Sequence, residues 1–128
     1  MAETVLSRLF LIFAGLLGFS GIALAAAASH MGDERLLGNA SMICLAHAPA
    51  LMALAFGYRR LRTGALAGLA LLIGTLLFAG DLVLRHFQGT GLFPMSAPTG
   101  GITMMAGWLL VALGGVLVRG QAIPSITK

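Results

Sequence analysis

Asp81 and Arg85 stand one helical turn apart in a stretch where nearly everything else is apolar or small. Asp81 lies about five turns into the run 64–84, which is long enough to cross a bilayer. A carboxylate inside a span costs roughly 2.5–3.5 kcal/mol on insertion scales, so it needs a partner. Three chemistries suit it. It can pair with Arg85, whose long stem lets the guanidinium reach the interface. It can accept hydrogen bonds from free amides at the start of the next helix, near 99–101, where the helix dipole favours an anion. Or it can handle protons or cations in a small transporter.

The histidines are the other titratable candidates. His30 ends the first apolar run and His86 the third, on the same side. His47 lies about eleven residues into the second run, near the bilayer middle. Pro49, just after it, removes an amide donor and frees the carbonyl of Leu45. A histidine so placed either hydrogen-bonds a neighbouring helix or the freed carbonyl, or lines a water pocket, binds a cofactor or relays protons. Paired membrane histidines can ligate haem, but the two must share a depth. His30 and His47 differ by roughly 15 Å along the normal, and His30 with His86 sits at the rim. No cofactor is therefore expected. Three dispersed histidines with Cys44 as the only cysteine lack zinc-site spacing, so no metal is expected either. No nucleophile–base or paired-carboxylate set shares a depth, and no enzymatic activity is expected.

The elements that position these residues follow from composition. The chain is 59% hydrophobic and 9% charged, with mean hydropathy +0.98, against about a quarter charged in soluble domains. Four apolar runs, at about 9–29, 36–58, 64–84 and 102–118, reach spanning length. Continuous runs without alternation require helices rather than a barrel. The first run, with Arg8 before it and Ala23-Leu24-Ala25 within it, has some look of a cleavable signal. It continues to Ala28 instead of stopping short, which favours a retained span. The net charge of +4 forms no aromatic-interleaved basic patch, so nucleic acid is not an expected partner.

Orientation follows from the cations. Arg8, Arg59, Arg60, Arg62, Arg119 and Lys128 share one side, and only Arg35 and Arg85 the other. The cluster Arg59, Arg60 and Arg62 reads as a cytoplasmic stop with both termini inside, or alternatively as a contact for anionic lipid or protein.

Lipid supplies no hydrophobic drive between helices, so small residues mark contact faces. Ala14, Gly18, Gly21, Ala25 and Ala28 share a stripe on the first span. On the third, Ala67, Gly74 and Asp81 are seven apart, with Gly64 and Gly68 at the inner end; Gly107 and Gly114 serve on the fourth. These faces build a tight bundle, or recruit a second copy or another membrane protein. The segment 85–101 reads as an apolar outer loop anchored in the interface by Phe87 and Phe93, or alternatively folded back into the bundle mouth, with Pro98, Thr99, Gly100 and Gly101 as a helix start and Thr99 as its cap.

The blocks 26–30, His47 in its apolar span, 74–82 (GTLLFAGDL), and Pro98-Thr99-Gly100-Gly101 followed by Gly107-Trp108 resemble the YgdD-type family, domain of unknown function 423, which has small mitochondrial transmembrane proteins among its relatives. The resemblance runs from the first span to Val118. It implies a four-helix protein of the bacterial inner membrane with no established enzymatic activity, and family histidines at His30 and His47. The family pattern has a small polar residue such as Ser at the position of Asp81, and an apolar or aromatic stretch at Arg85.

The sequence thus predicts an all-α integral membrane protein, one domain over 1–128, folded as an antiparallel four-transmembrane-helix bundle with N-in/C-in topology. The expected function is that of a non-enzymatic accessory, assembly or envelope component, its partners the lipid bilayer and another membrane protein or a second copy. The alternative is a small proton- or solute-handling carrier using His47 and Asp81.

Overall fold

The computed structural model describes residues 4–118, so Arg119 and Lys128 of the charge argument lie outside the described residues. Four long helices form: α1 (Val5–Met31), α2 (Asn39–Gly57), α3 (Gly64–Gln88) and α4 (Ser96–Leu117). A π-helical turn, Glu34–Gly38, leads into α2, and a 3₁₀ turn, Tyr58–Arg60, follows it. By length and composition α1, α3, α4 and the continuous segment Glu34–Arg60 that contains α2 are candidate membrane spans.

Local chemistry sets the ends. The Thr4 hydroxyl accepts the Ser7 amide at 3.1 Å, which starts α1 ahead of the expected 9. Gly32 and Gly89 stop α1 and α3 in the left-handed conformation, at φ 69° and 77°. Asp33 accepts the Leu36 amide at 3.0 Å and so opens the π turn.

The expected boundaries of 85–101 need correction. Arg85, His86 and Phe87 belong to the last turn of α3, and α4 begins at Ser96 rather than 102, leaving a loop of only 89–95. Pro98 is in the first turn of α4, where its missing N–H has no intrahelical partner to lose. Gly100 is buried against α3 and works as a contact residue.

The contacts define two antiparallel hairpins. Between α1 and α2, Ser7 donates to the Ala55 carbonyl at 2.6 Å, and Ser41 to the Gly21 carbonyl at 2.6 Å. Between α3 and α4, Gly74 meets Gly100, Leu71 meets Gly107, and Thr63 donates to the Leu110 carbonyl at 2.6 Å. Partner numbers rise on one helix as they fall on the other, which is the antiparallel signature. The hairpins join mainly through α2 and α3. Phe10, Leu17, Leu51 and Leu71 fill the centre. Phe19, Ile22, Phe56, Leu109 and Val116 point outward, as expected where the surrounding solvent is hydrocarbon.

Candidate functional site

Asp81 has no exposed surface. Its Oδ2 accepts from Arg85 Nε at 2.6 Å, and its Oδ1 accepts the Leu92 amide at 3.0 Å and the Ser96 hydroxyl. Both oxygens are thus taken by the chain that leaves α3 and enters α4. Gly91 passes directly under the carboxylate: a methyl group there would overlap Asp81 and lie 2.9 Å from an Arg85 terminal nitrogen. The arrangement fastens the 89–95 loop and the first turn of α4 onto the end of α3. Arg85 keeps 42% of its side chain exposed, so its charge stays in contact with the surroundings while its Nε closes the pair.

The donors expected at 99–101 are not the partners of Asp81. Because α4 starts earlier, the Thr99 hydroxyl donates to the Met95 carbonyl at 2.7 Å instead of capping the helix. Pro98 is exposed, and Gly101 is half-buried near Phe78. The serine that does reach the acid, Ser96, is fully buried and carried no signal in sequence beyond being small and polar.

A second pair lies at the same end. His86 Nδ1 is 2.6 Å from Asp33 Oδ2, which ties the α1–α2 connection to the last turn of α3. The His86 hydrogen bond, with the Leu36 amide second, holds the Asp33 carboxyl below its ordinary value. Sequence reasoning missed Asp33. Its place just after a glycine stop and three residues before Leu36 is a capping signal, but nothing local links it to a residue 53 positions away. His30 is exposed and joins neither cluster.

His47 is buried on α2. Its Nδ1 lies 2.9 Å from the Ile43 carbonyl, and its Nε2 accepts the Trp108 indole N–H at 3.2 Å. The carbonyl freed by Pro49, that of Leu45, is not its partner. His47 and Asp81 share no hydrogen-bond partner among the described residues. Their respective contacts on α4, Trp108 and Ser96, are roughly 18 Å apart along the helix. Among the described residues no three metal-ligating side chains converge.

The packing glycines lie at close approaches. Gly18 faces Ala48 at 3.8 Å, and Gly21 lies against Leu45, 3.2 Å from its backbone nitrogen, both distances taken from the place of an added Cβ. Gly64 lies against the Tyr58 carbonyl, Gly68 under the Phe10 ring, and Gly114 against Leu61 and Thr63. Arg59, Arg60 and Arg62 are exposed at the connection between α2 and α3. Cavities open on the bundle among the described residues. One of about 590 Å³ lies between α1 and the start of α2, edged by Glu34 and Ser41; one of about 370 Å³ lies between α2 and α4, reaching from Trp108 to Arg60.

A family model described as "Protein of unknown function (DUF423)" matches residues 24–101. The inner membrane protein YgdD of Escherichia coli strain K12 is 28% identical over 134 residues, an alignment covering 91% of this chain and 96% of the relative. The protein of the same name from Shigella flexneri gives the same figures. No solved structure matches.

Proposed function

The chain belongs to the DUF423 family of small multi-pass membrane proteins, and from that premise we propose that it is a non-enzymatic bundle serving as an accessory, assembly or envelope component of the bacterial cytoplasmic membrane. The observation that carries this reading is the state of Asp81. An acid that moves protons or cations faces a water-filled cavity or path, and Asp81 has no exposed surface. Here both oxygens are occupied within the α3–α4 hairpin, and the polar groups around His47 form a separate cluster. The acid is spent on holding helices together.

The topology we propose is N-in/C-in. Arg8, Arg59, Arg60 and Arg62 gather at one end of the bundle, while Arg35 and Arg85 stand at the other beside Asp33, Glu34 and Asp81. The first end is the cytoplasmic one by the rule that short loops rich in arginine stay inside.

The test has two arms. Purification from native membranes in mild detergent, with co-purifying proteins identified and a visible spectrum recorded, is expected to give a membrane-protein partner and no Soret band. Purified protein in liposomes is expected to show no proton or solute flux. Flux that disappears on Asp81→Asn or His47→Ala would overturn the accessory reading in favour of a carrier.

A further inference from the structure

The cavity between α2 and α4 is a slot rather than a chamber. Ala50, Ala53 and Gly57 line one wall at helical spacing with Leu61 beyond them, Trp108 and Val111 line the other, and Leu71 of α3 closes the back. Its lining is almost wholly apolar, and Arg60 stands at one end of it. From Ala50 to Arg60 the slot runs roughly 15 Å along α2 and the 3₁₀ turn that follows it, half of a hydrocarbon core of about 30 Å. A slot one leaflet deep, apolar throughout and tipped with a cation has the dimensions and polarity of an acyl chain under an anionic headgroup.

Charge at that end supports the same occupant. Arg59 and Arg62 flank Arg60, all three are exposed, and among the described residues no carboxylate pairs with any of them. The described acids, Asp33, Glu34 and Asp81, stand at the opposite end. The far end of the slot is fixed by Trp108, whose indole is held by the buried His47 at 3.2 Å. The arginine cluster, which pairs with no described carboxylate, and the indole that braces α2 against α4 are thereby joined by one cavity.

We propose that this slot is a binding site for one anionic phospholipid, an acyl chain lying between α2 and α4 and the phosphate on Arg60 with Arg59 and Arg62 beside it. The site depends on the arginines being at a membrane interface and is independent of the accessory reading.

The test is native mass spectrometry of the full chain purified in mild detergent and titrated with phosphatidylglycerol or with phosphatidylcholine of the same acyl chains. Wild type is expected to retain one phosphatidylglycerol in preference to phosphatidylcholine. Arg60→Gln is expected to cut that preference about fivefold, the effect of one interfacial cation. Gly57→Leu, at a position where an added Cβ meets nothing within 4 Å, fills the slot without disturbing the fold and is expected to remove the bound lipid of either kind. Ala53→Phe repeats that test on the same wall, and an unchanged melting temperature shows that each variant is folded. Equal retention by wild type, Arg60→Gln and Gly57→Leu would mean annular lipid only and overturn the proposal. A lipid-free dimer or hetero-complex cross-linked through Ala53 would assign the slot to a protein and overturn it too.

Discussion

Trp108 donates its indole N–H to Nε2 of His47 across 3.2 Å, and because an indole nitrogen only donates, Nε2 carries no proton. The ring proton is then on Nδ1, directed at the Ile43 carbonyl one turn back at 2.9 Å. The imidazole links α2 to α4. Its coupling to Trp108 is measurable by a double-mutant cycle of His47→Ala and Trp108→Phe in mixed-micelle unfolding. Interhelical hydrogen bonds in membranes average about 0.6 kcal/mol and reach about 1.7, so a coupling within that range is expected. Strict additivity of the two substitutions would show that the pair contributes nothing.

At Asp81 the two partners should respond unequally. Asp81→Ala strands the Leu92 amide and the Ser96 hydroxyl but leaves Arg85 free to be solvated, since its side chain is 42% exposed. The expected cost is about 1–3 kcal/mol, that of buried donors without acceptors. Arg85→Ala instead leaves a fully buried carboxylate without its counter-charge, and about 3 kcal/mol is expected. With Asp81→Asn in the background the loss of Arg85 should become nearly neutral. If Arg85→Ala costs the same in both backgrounds, the ion pair is not what holds the hairpin.

The Asp33–His86 pair sets an acid limb of stability. The Asp33 carboxyl is held below its ordinary value chiefly by the His86 hydrogen bond and then by the Leu36 amide. A lowered folded-state pKa means that the contribution is complete above the unfolded value and disappears as pH falls through the folded one. Detergent melts should therefore show a loss of stability between the ordinary carboxylate range and more acid pH. Asp33→Asn should flatten that limb, and His86→Ala, which removes the largest cause of the lowering, should move it toward the ordinary range. An acid limb unchanged in Asp33→Asn would place its origin elsewhere.

The helices were readable because each is a long apolar run, and backbone polar groups in lipid leave no other structure. Their ends were less so. Pro98 to Gly101 reads as a helix start and Pro98 is indeed in a first turn, but α4 begins at Ser96, and the contact of Gly100 with α3 has no signature in the composition of 85–101. Asp81 with Arg85 is legible because spacing of one turn is local. Ser96 and the Leu92 amide reach the same carboxylate only through the path of a short loop. Trp108 with His47 and Asp33 with His86 are tertiary pairs, 61 and 53 positions apart, and no pattern along the chain encodes them.

Gly74 and Gly100 make the closest approach of two backbones in the α3–α4 hairpin for which side-chain adjustment offers no relief. A Cβ on Gly74 would stand 2.7 Å from the Gly100 carbonyl oxygen and 2.8 Å from the Met104 nitrogen. One on Gly100 would stand 2.7 Å from both the Gly74 carbonyl oxygen and the Phe78 nitrogen. Backbone atoms in two helices cannot rotate away, so the hairpin must open, and overpacking of this kind costs about 1–3 kcal/mol. Gly15 is the internal control, because a Cβ there meets nothing within 4 Å. Gly15→Ala should be neutral or stabilise by up to about 1 kcal/mol through reduced chain entropy. Gly107→Ala tests the same hairpin further along, against Leu71, whose side chain can move in part; its effect should fall between the other two. Melting temperatures in one detergent rank the series, and a Gly74→Ala variant as stable as Gly15→Ala would mean that the hairpin is looser than the contact of Gly74 with Gly100 requires.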